Sequence, residues 1–232
     1  LADGSSLFGI YPFDISGKLT LDGNNIGFLT RLSASHPNAG LYAASNILGA
    51  LDITSREGTI EFPNPSNPTE SFVVTGDVNI TSELTVLNNT DFRGAIGFHG
   101  SDSAHAQITN NNADANVILG ESNVGTLLVN VPLGSISQKE GTGVAASITE
   151  LRAGGDITLD GSENDFDDLS ILNGANVTIV DKDAVSVRAD GTTFAEFSVG
   201  SLNLTAGEIK IGRSQATLID TGLSAESVVR VA

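Results

Sequence analysis

Gly154-Gly155-Asp156-Ile157-Thr158-Leu159 runs through Asn164-Asp165-Phe166 to Ala175-Asn176-Val177-Thr178-Ile179-Val180. Short β-branched triplets here alternate with Gly, Asn and Asp turn residues. Each triplet sets apolar side chains on one face of a strand and Thr or Asn on the other. The same pattern returns, more loosely, twice upstream. A chain built from imperfect copies of a short strand-and-turn unit is a solenoid before it is anything else. Solenoids present long surfaces more readily than single clefts, and that frames the functional question.

Working outward, the alternation recurs in Lys18-Leu19-Thr20-Leu21, Asp77-Val78-Asn79-Ile80 and Glu83-Leu84-Thr85-Val86. It recurs again in Val185-Ser186-Val187, Ser201-Leu202-Asn203-Leu204 and Glu208-Ile209-Lys210-Ile211. No sustained apolar pattern at helical spacing competes with it. Only 39–50 and 224–229 have the length and composition for a short helix, and both contain strand or turn residues. One marker, Gly followed by a polar-aliphatic-polar-aliphatic strand, opens at Gly17, Gly76 and Gly155. A second, Gly-polar-Ile-polar, opens at Gly58, Gly134 and Gly207, steps of 76 and 73 residues.

These spacings predict three super-repeats of about 75 residues, over about 1–75, 76–154 and 155–232. Each would hold three or four rungs of about twenty residues, so some eleven rungs would make a rod of about 50 Å. Pro63-Asn64-Pro65-Ser66-Asn67-Pro68 breaks any strand and is read as a loop protruding between the first two super-repeats.

At 232 residues the chain could hold one elongated domain or two compact ones, and the repeats favour the first. Hydrophobic residues make up 40% of the 232 positions, with no Trp and two Tyr, so the core must be aliphatic. The 26 Gly supply turns. Cys is absent, which excludes disulfides, thiolate metal sites and thiol nucleophiles. A net charge of −17 argues against nucleic acid and anionic lipid as partners. Apolar runs are too short to insert in a membrane as a helix. With no Met at position 1, the sequence is read as a processed product or a piece of something longer.

Gly134-Ser135-Ile136-Ser137-Gln138, then 149–159, Asn164-Asp165-Phe166, 175–179 and 202–209, together resemble the filamentous-haemagglutinin-like repeat region of bacterial surface adhesins exported by two-partner secretion. The likeness covers about 134–211 and fades before 75. It implies an all-β, right-handed parallel β-helix on a secreted or surface-attached adhesin. The Asn-Pro-Asn-Gly and Asn-Pro-Asn-Leu motifs of that family's secretion domain are missing, so the resemblance implies shaft and not export module.

Candidate sites are few. Asp160, Glu163, Asp165, Asp167 and Asp168 are the densest carboxylates and could coordinate Ca²⁺ through hard oxygen ligands. EF-hand spacing is not met, and a solvated turn with Phe166 packed inward is the competing reading. Asp167-Asp168 raises a polysaccharide-active enzyme, but neighbours on a strand point to opposite faces. His36, His99 and His105 show no metal-binding spacing. Asn88-Asn89 and Asn110-Asn111-Asn112 are expected to stack between rungs or to form turns. Sequons stand at Asn79, Asn88, Asn176 and Asn203.

The sequence thus predicts a non-catalytic extracellular rod of a bacterial surface protein, without cofactor. Its partner would be a protein or glycan on a neighbouring cell or host. Two alternatives stand beside it: a β-helix polysaccharide enzyme, and a subunit that self-associates end to end into a filament. The second rests on Val228-Val229-Arg230-Val231-Ala232, an apolar strand-like segment without a polar cap, after which the pattern predicts another Gly-Asp-Ile-Thr-Leu rung just beyond Ala232.

Overall fold

The computed structural model describes residues 5–9, 14–15, 17–23, 25–29, 45–47, 49–56, 59–62, 72–113, 115–188, 198–212, 219–220 and 227–231. The Pro-rich 63–68 segment, His36 and Gly58 lie outside these. In chain order the first strands are β1 (Ser5–Gly9), β2 (Asp14–Ile15), β3 (Leu19–Gly23), β4 (Asn25–Leu29), β5 (Ser45–Ile47) and β6 (Leu51–Ser55). They continue as β7 (Thr59–Phe62), β8 (Phe72–Val74), β9 (Val78–Thr81), β10 (Leu84–Asn88), β11 (Asp91–Phe92) and β12 (Ile96–His99). Next come β13 (His105–Thr109), β14 (Val117–Leu119), β15 (Ser122–Val131), β16 (Ile136–Gln138), β17 (Val144–Ala153) and β18 (Ile157–Leu159). The last are β19 (Asp165–Val180), β20 (Ala184–Arg188), β21 (Ser198–Ala206), β22 (Glu208–Gly212), β23 (Ile219–Asp220) and β24 (Ser227–Val231). Where a short helix had a place, 45–47 and 227–231 are strands, and no described residue is helical.

The strands stack in parallel as a β-solenoid, as the alternation predicts. On the first face Leu19, Leu51, Val78 and Ile96 pair in succession. Further along the same face, Val117, Ile136, Ile157, Val177 and Leu202 do so. The second face runs β1, β4, β7, β10, β13, β15, β17, β19, β20 and β22. Coils from Val117 to Val177 advance by 19, 21 and 20 residues, the expected rung. The first two steps are longer, 32 residues from Leu19 to Leu51 and 27 from Leu51 to Val78, so the described levels are fewer than eleven. Gly134 leads into the first face, through Ile136, and Gly207 into the second, through Ile209. What the registers repeat is the single coil.

A third, four-stranded sheet, β2-β5-β8-β11, closes the early coils, and among the described residues it goes no further than β11. Where it ends, the first face slips. Ile96 pairs with Leu119 and His99 with Asn123, three residues against four, so β12 meets an extra residue at Glu121. Such a bulge adds one unpaired residue and bends the ladder. Beyond it β15, β17 and β19 run through the corner between faces without a break, at 10, 10 and 16 residues. The chain therefore holds two styles of coil, joined at a seam on the first face and continuous on the second.

Leu51, Ile53, Val78, Ile80, Phe98, Leu119, Ile157, Leu159, Phe166, Leu169, Val177, Ile179 and Leu204 are all at most 1% exposed and belong to one hydrophobic core. Burying a Val, Leu, Ile or Phe side chain contributes about 1.5–3 kcal/mol. Coil-on-coil repetition of that burial holds the stack without disulfides.

Both parallel faces end in antiparallel pairs. Leu202 to Ala206 pair with Val231 to Ser227, and Lys210-Ile211 with Asp220-Ile219. The apolar 228–232 segment is read from the sequence as strand-like, and 227–231 is a strand. The segment turns back along β21.

Candidate functional surface

The stretch that decides the fold also builds its most regular surface feature. Gly76, Gly134 and Gly155 sit at the corner before the first face, each followed by a polar residue and then the first buried aliphatic. At this corner the backbones come close. A Cβ on Gly76 would lie 2.4 Å from the Gly49 carbonyl oxygen, and one on Gly134 2.2 Å from that of Ala115. Gly155 N–H donates to Gly134 O at 2.9 Å, and Ala175 N–H to Gly155 O at 2.8 Å. Only Gly fits where the approach is closest.

The residue after each corner carries a polar side chain that reaches toward the next coil. Asp77 Oδ1 accepts Ala95 N–H at 3.0 Å. Asn116 Oδ1 accepts Ser135 N–H at 2.9 Å, and Ser135 Oγ accepts Asp156 N–H at 3.2 Å. Asp156 Oδ1 takes both the backbone N–H and the side-chain amide of Asn176, at 3.0 and 2.9 Å. Asn176 Oδ1 then accepts the Ser201 hydroxyl at 3.0 Å. The ladder satisfies N–H groups that the turn leaves without a strand partner. Among the sequons, Asn79 and Asn176 donate their amides to Asp52 and Asp156.

A second polar seam is internal. Asn164, fully buried, accepts Gln138 Nε2 at 2.7 Å and Val144 N–H at 2.9 Å. Its own amide faces Gln138 Oε1, Leu159 O and Val180 O at 3.0 to 3.2 Å. One side chain thereby ties three coils together, since Gln138, Leu159 and Val180 end successive first-face strands. Asp181, only 4% exposed, accepts Phe166 N–H at 2.7 Å and Asp183 N–H at 3.0 Å. Burial pushes its carboxyl above the ordinary value, against those two bonds.

The acidic run does not converge. Asp160, Glu163 and Asp167 are exposed, Asp165 and Asp168 half-buried. Asp165 pairs with Lys182 at 2.5 Å. Among the described residues no three His, Asp or Glu come together to hold a metal ion. Phe166 packs fully inward, as the turn reading expects, but Asn164 lies in the core and not in solvent. His99 ends a first-face strand and His105 begins a second-face strand. In the turn between them Ser101 donates its hydroxyl to Glu83 at 2.5 Å and its N–H at 3.2 Å, which lowers the Glu83 carboxyl below its ordinary value. The amide clusters bond between coils: Asn111 N–H reaches Asn89 Oδ1 at 2.8 Å, and Asn110 Nδ2 reaches Thr90 O at 2.9 Å.

Corner ladders, an aliphatic core and parallel registers define the class of this chain, a repeat-built parallel β-solenoid. A family model described as repeats of unknown function (DUF5649) matches residues 104–173. The match begins just past β12 and covers coils whose strands run unbroken through the corner. No curated protein and no solved structure matches the chain.

Proposed function

We propose that the chain is a non-catalytic rod of a bacterial surface protein that works outside the cell and binds a protein or glycan on a neighbouring cell or host. The observation that carries this reading is the corner ladder. The polar groups at 77, 116, 135, 156 and 176 each bond one coil to the next, so they act as stack-builders. A stack of this kind presents long strand faces and transmits force along its axis through many parallel inter-coil bonds. The lack of Cys suits a fold stabilised by neighbouring coils. The resemblance of 134–211 to adhesin repeats supplies the setting. Among the described residues no helix is long and apolar enough to cross a membrane.

Antibody raised against residues 104–173 tests the setting on intact cells that make the protein. Surface label removed by external protease is expected; label only after permeabilisation contradicts export. Beads coated with the chain, offered to host cells and to immobilised glycans, test adhesion. Retention above that of uncoated beads is expected, and none on either support contradicts the adhesive role.

A further inference from the structure

Lys18, Arg56, Arg93, Lys139, Lys182 and Lys210 each pair with a carboxylate. Arg152 has no such partner among the described residues, on a chain whose net charge is −17. It is exposed on the outward side of the second face, between the buried Leu151 and Ala153. In register with it stand Asn130 on the coil before and Asn173 on the coil after. Between Leu151 and Arg152 the register of β17 on β19 slips by one residue, at Leu172. Such a bulge bends the ladder and re-aims the side chains beside it. Asn130 Oδ1 is buried without a partner, so Nδ2 is the end of that amide left to face outward. Asn173 gives its Nδ2 to Ala153 O at 2.6 Å, which leaves its Oδ1 as an acceptor. Adjacent levels lie about 4.8 Å apart. A guanidinium fork, an amide donor and an amide acceptor therefore share one row, with the half-buried Leu128 beside it.

We propose that this row, Asn130, Arg152 and Asn173, binds a sugar acid, a sugar unit that carries one carboxylate. The proposal rests on the glycan-binding side of the reading above. Arg152 takes the carboxylate through two parallel N–H bonds, and Asn130 donates a third. Asn173 accepts from a ring hydroxyl while Leu128 meets ring C–H groups. Neutral amides around a single cation suit one carboxylate with hydroxyls about it. A polyanion would bring further negative charge against Glu150, two residues from Arg152 on the same outward side.

The test titrates the full chain with methyl glucuronoside, methyl sialoside, the carboxamide of each, and a blocked tripeptide with one aspartate, following backbone amides by NMR. Expected are saturating shifts at 128–131, 151–153 and 172–174 with one of the two acids at millimolar concentration. Which acid saturates tells a uronate from a sialate. Its carboxamide should bind at least about tenfold more weakly, and Arg152→Gln should cause the same loss. The carboxamide comparison needs no variant to fold. No shift with either acid, or equal binding of acid and carboxamide, overturns the proposal. So do shifts that Arg152→Gln leaves intact, or a tripeptide bound as tightly as the sugar acid. Coated beads held on glycans, with these amides unmoved, sink the row and leave the adhesive reading standing. Saturating shifts with no bead retained do the reverse.

Discussion

Asp156 Oδ1 holds Asn176 twice, through its backbone N–H at 3.0 Å and its side-chain amide at 2.9 Å, one coil further along the stack. The two residues stand at the same place in successive coils, each just before a buried first-face aliphatic. Asp156→Ala removes both bonds and leaves the Asn176 N–H to solvent. Bonds of this exposed kind contribute about 0.5–1.5 kcal/mol each. Urea unfolding should show a loss of about 1–2 kcal/mol, and the Asn176 amide should exchange faster. Asp156→Asn keeps an acceptor and should lose less. Equal losses in the two variants contradict the ladder.

Close approach at the corner predicts a penalty for the smallest side chain. Gly76→Ala would set a methyl 2.4 Å from the Gly49 carbonyl, and both atoms belong to backbone fixed by pairing. Overpacking against a fixed neighbour costs about 1–3 kcal/mol, read as a drop in thermal midpoint. Gly141→Ala meets nothing within 4 Å, but its φ of 76° carries a backbone cost of about 1–2 kcal/mol. It should leave inter-coil amide protection unchanged, whereas Gly76→Ala should weaken it at 49–51 and 76–78.

Thr149 lies in the inward row between Leu127 and Leu169, with no exposed surface and no partner for its hydroxyl. Thr149→Val replaces the hydroxyl with a methyl of similar volume. An unsatisfied buried polar group costs about 1–3 kcal/mol, so the variant should be more stable than the wild type. Thr149→Val at or below wild-type stability in denaturant contradicts this placement.

Two carboxylates give opposite pH signatures. Lys139 donates to Asp77 at 2.5 Å and holds its carboxyl below the ordinary value. That stability is present above the unfolded carboxylate range and is lost as pH falls through the lowered folded pKa. Lys139→Met should therefore flatten the acid limb. Asp181 is raised by burial, so its protonated form favours the fold. Stability from this group is complete below the unfolded pKa and is lost as pH rises through the folded one. Asp181→Asn should gain relative to wild type as pH climbs above about 4. Denaturant midpoints at steps of pH for the three proteins check both signs.

The strands were legible because alternation and turn residues are local signals. Lys18-Leu19-Thr20-Leu21, Asp77-Val78-Asn79-Ile80 and Gly155-Asp156-Ile157-Thr158-Leu159 each became a first-face strand at the same corner. What the alternation hid depends on corners. In Ala146-Ser147-Ile148-Thr149 the chain turns between two faces at Ser147, and the extra outward residue resets the period of two. Ile148 is left 46% exposed and Thr149 enters the core. Asn164 was hidden in a run of acids, yet it precedes a buried Phe by two residues, a spacing that sets both inward. The antiparallel return of 227–231 left no local mark, because strand direction is decided by tertiary pairing.

Cysteine cross-linking tests the stack most directly, since the chain has no Cys of its own. Ser137, Thr158 and Thr178 stand on successive levels of the first face in direct register. Adjacent levels lie about 4.8 Å apart, inside the Cα separation of about 4.4–6.8 Å that a disulfide spans. Ser137→Cys/Thr158→Cys and Thr158→Cys/Thr178→Cys should oxidise to intramolecular disulfides in the folded protein. Ser137→Cys/Thr178→Cys, two levels apart at about 9.6 Å, should not. Ready bonding of the 137/178 pair, with neither adjacent pair closing, would contradict a parallel coil of about twenty residues.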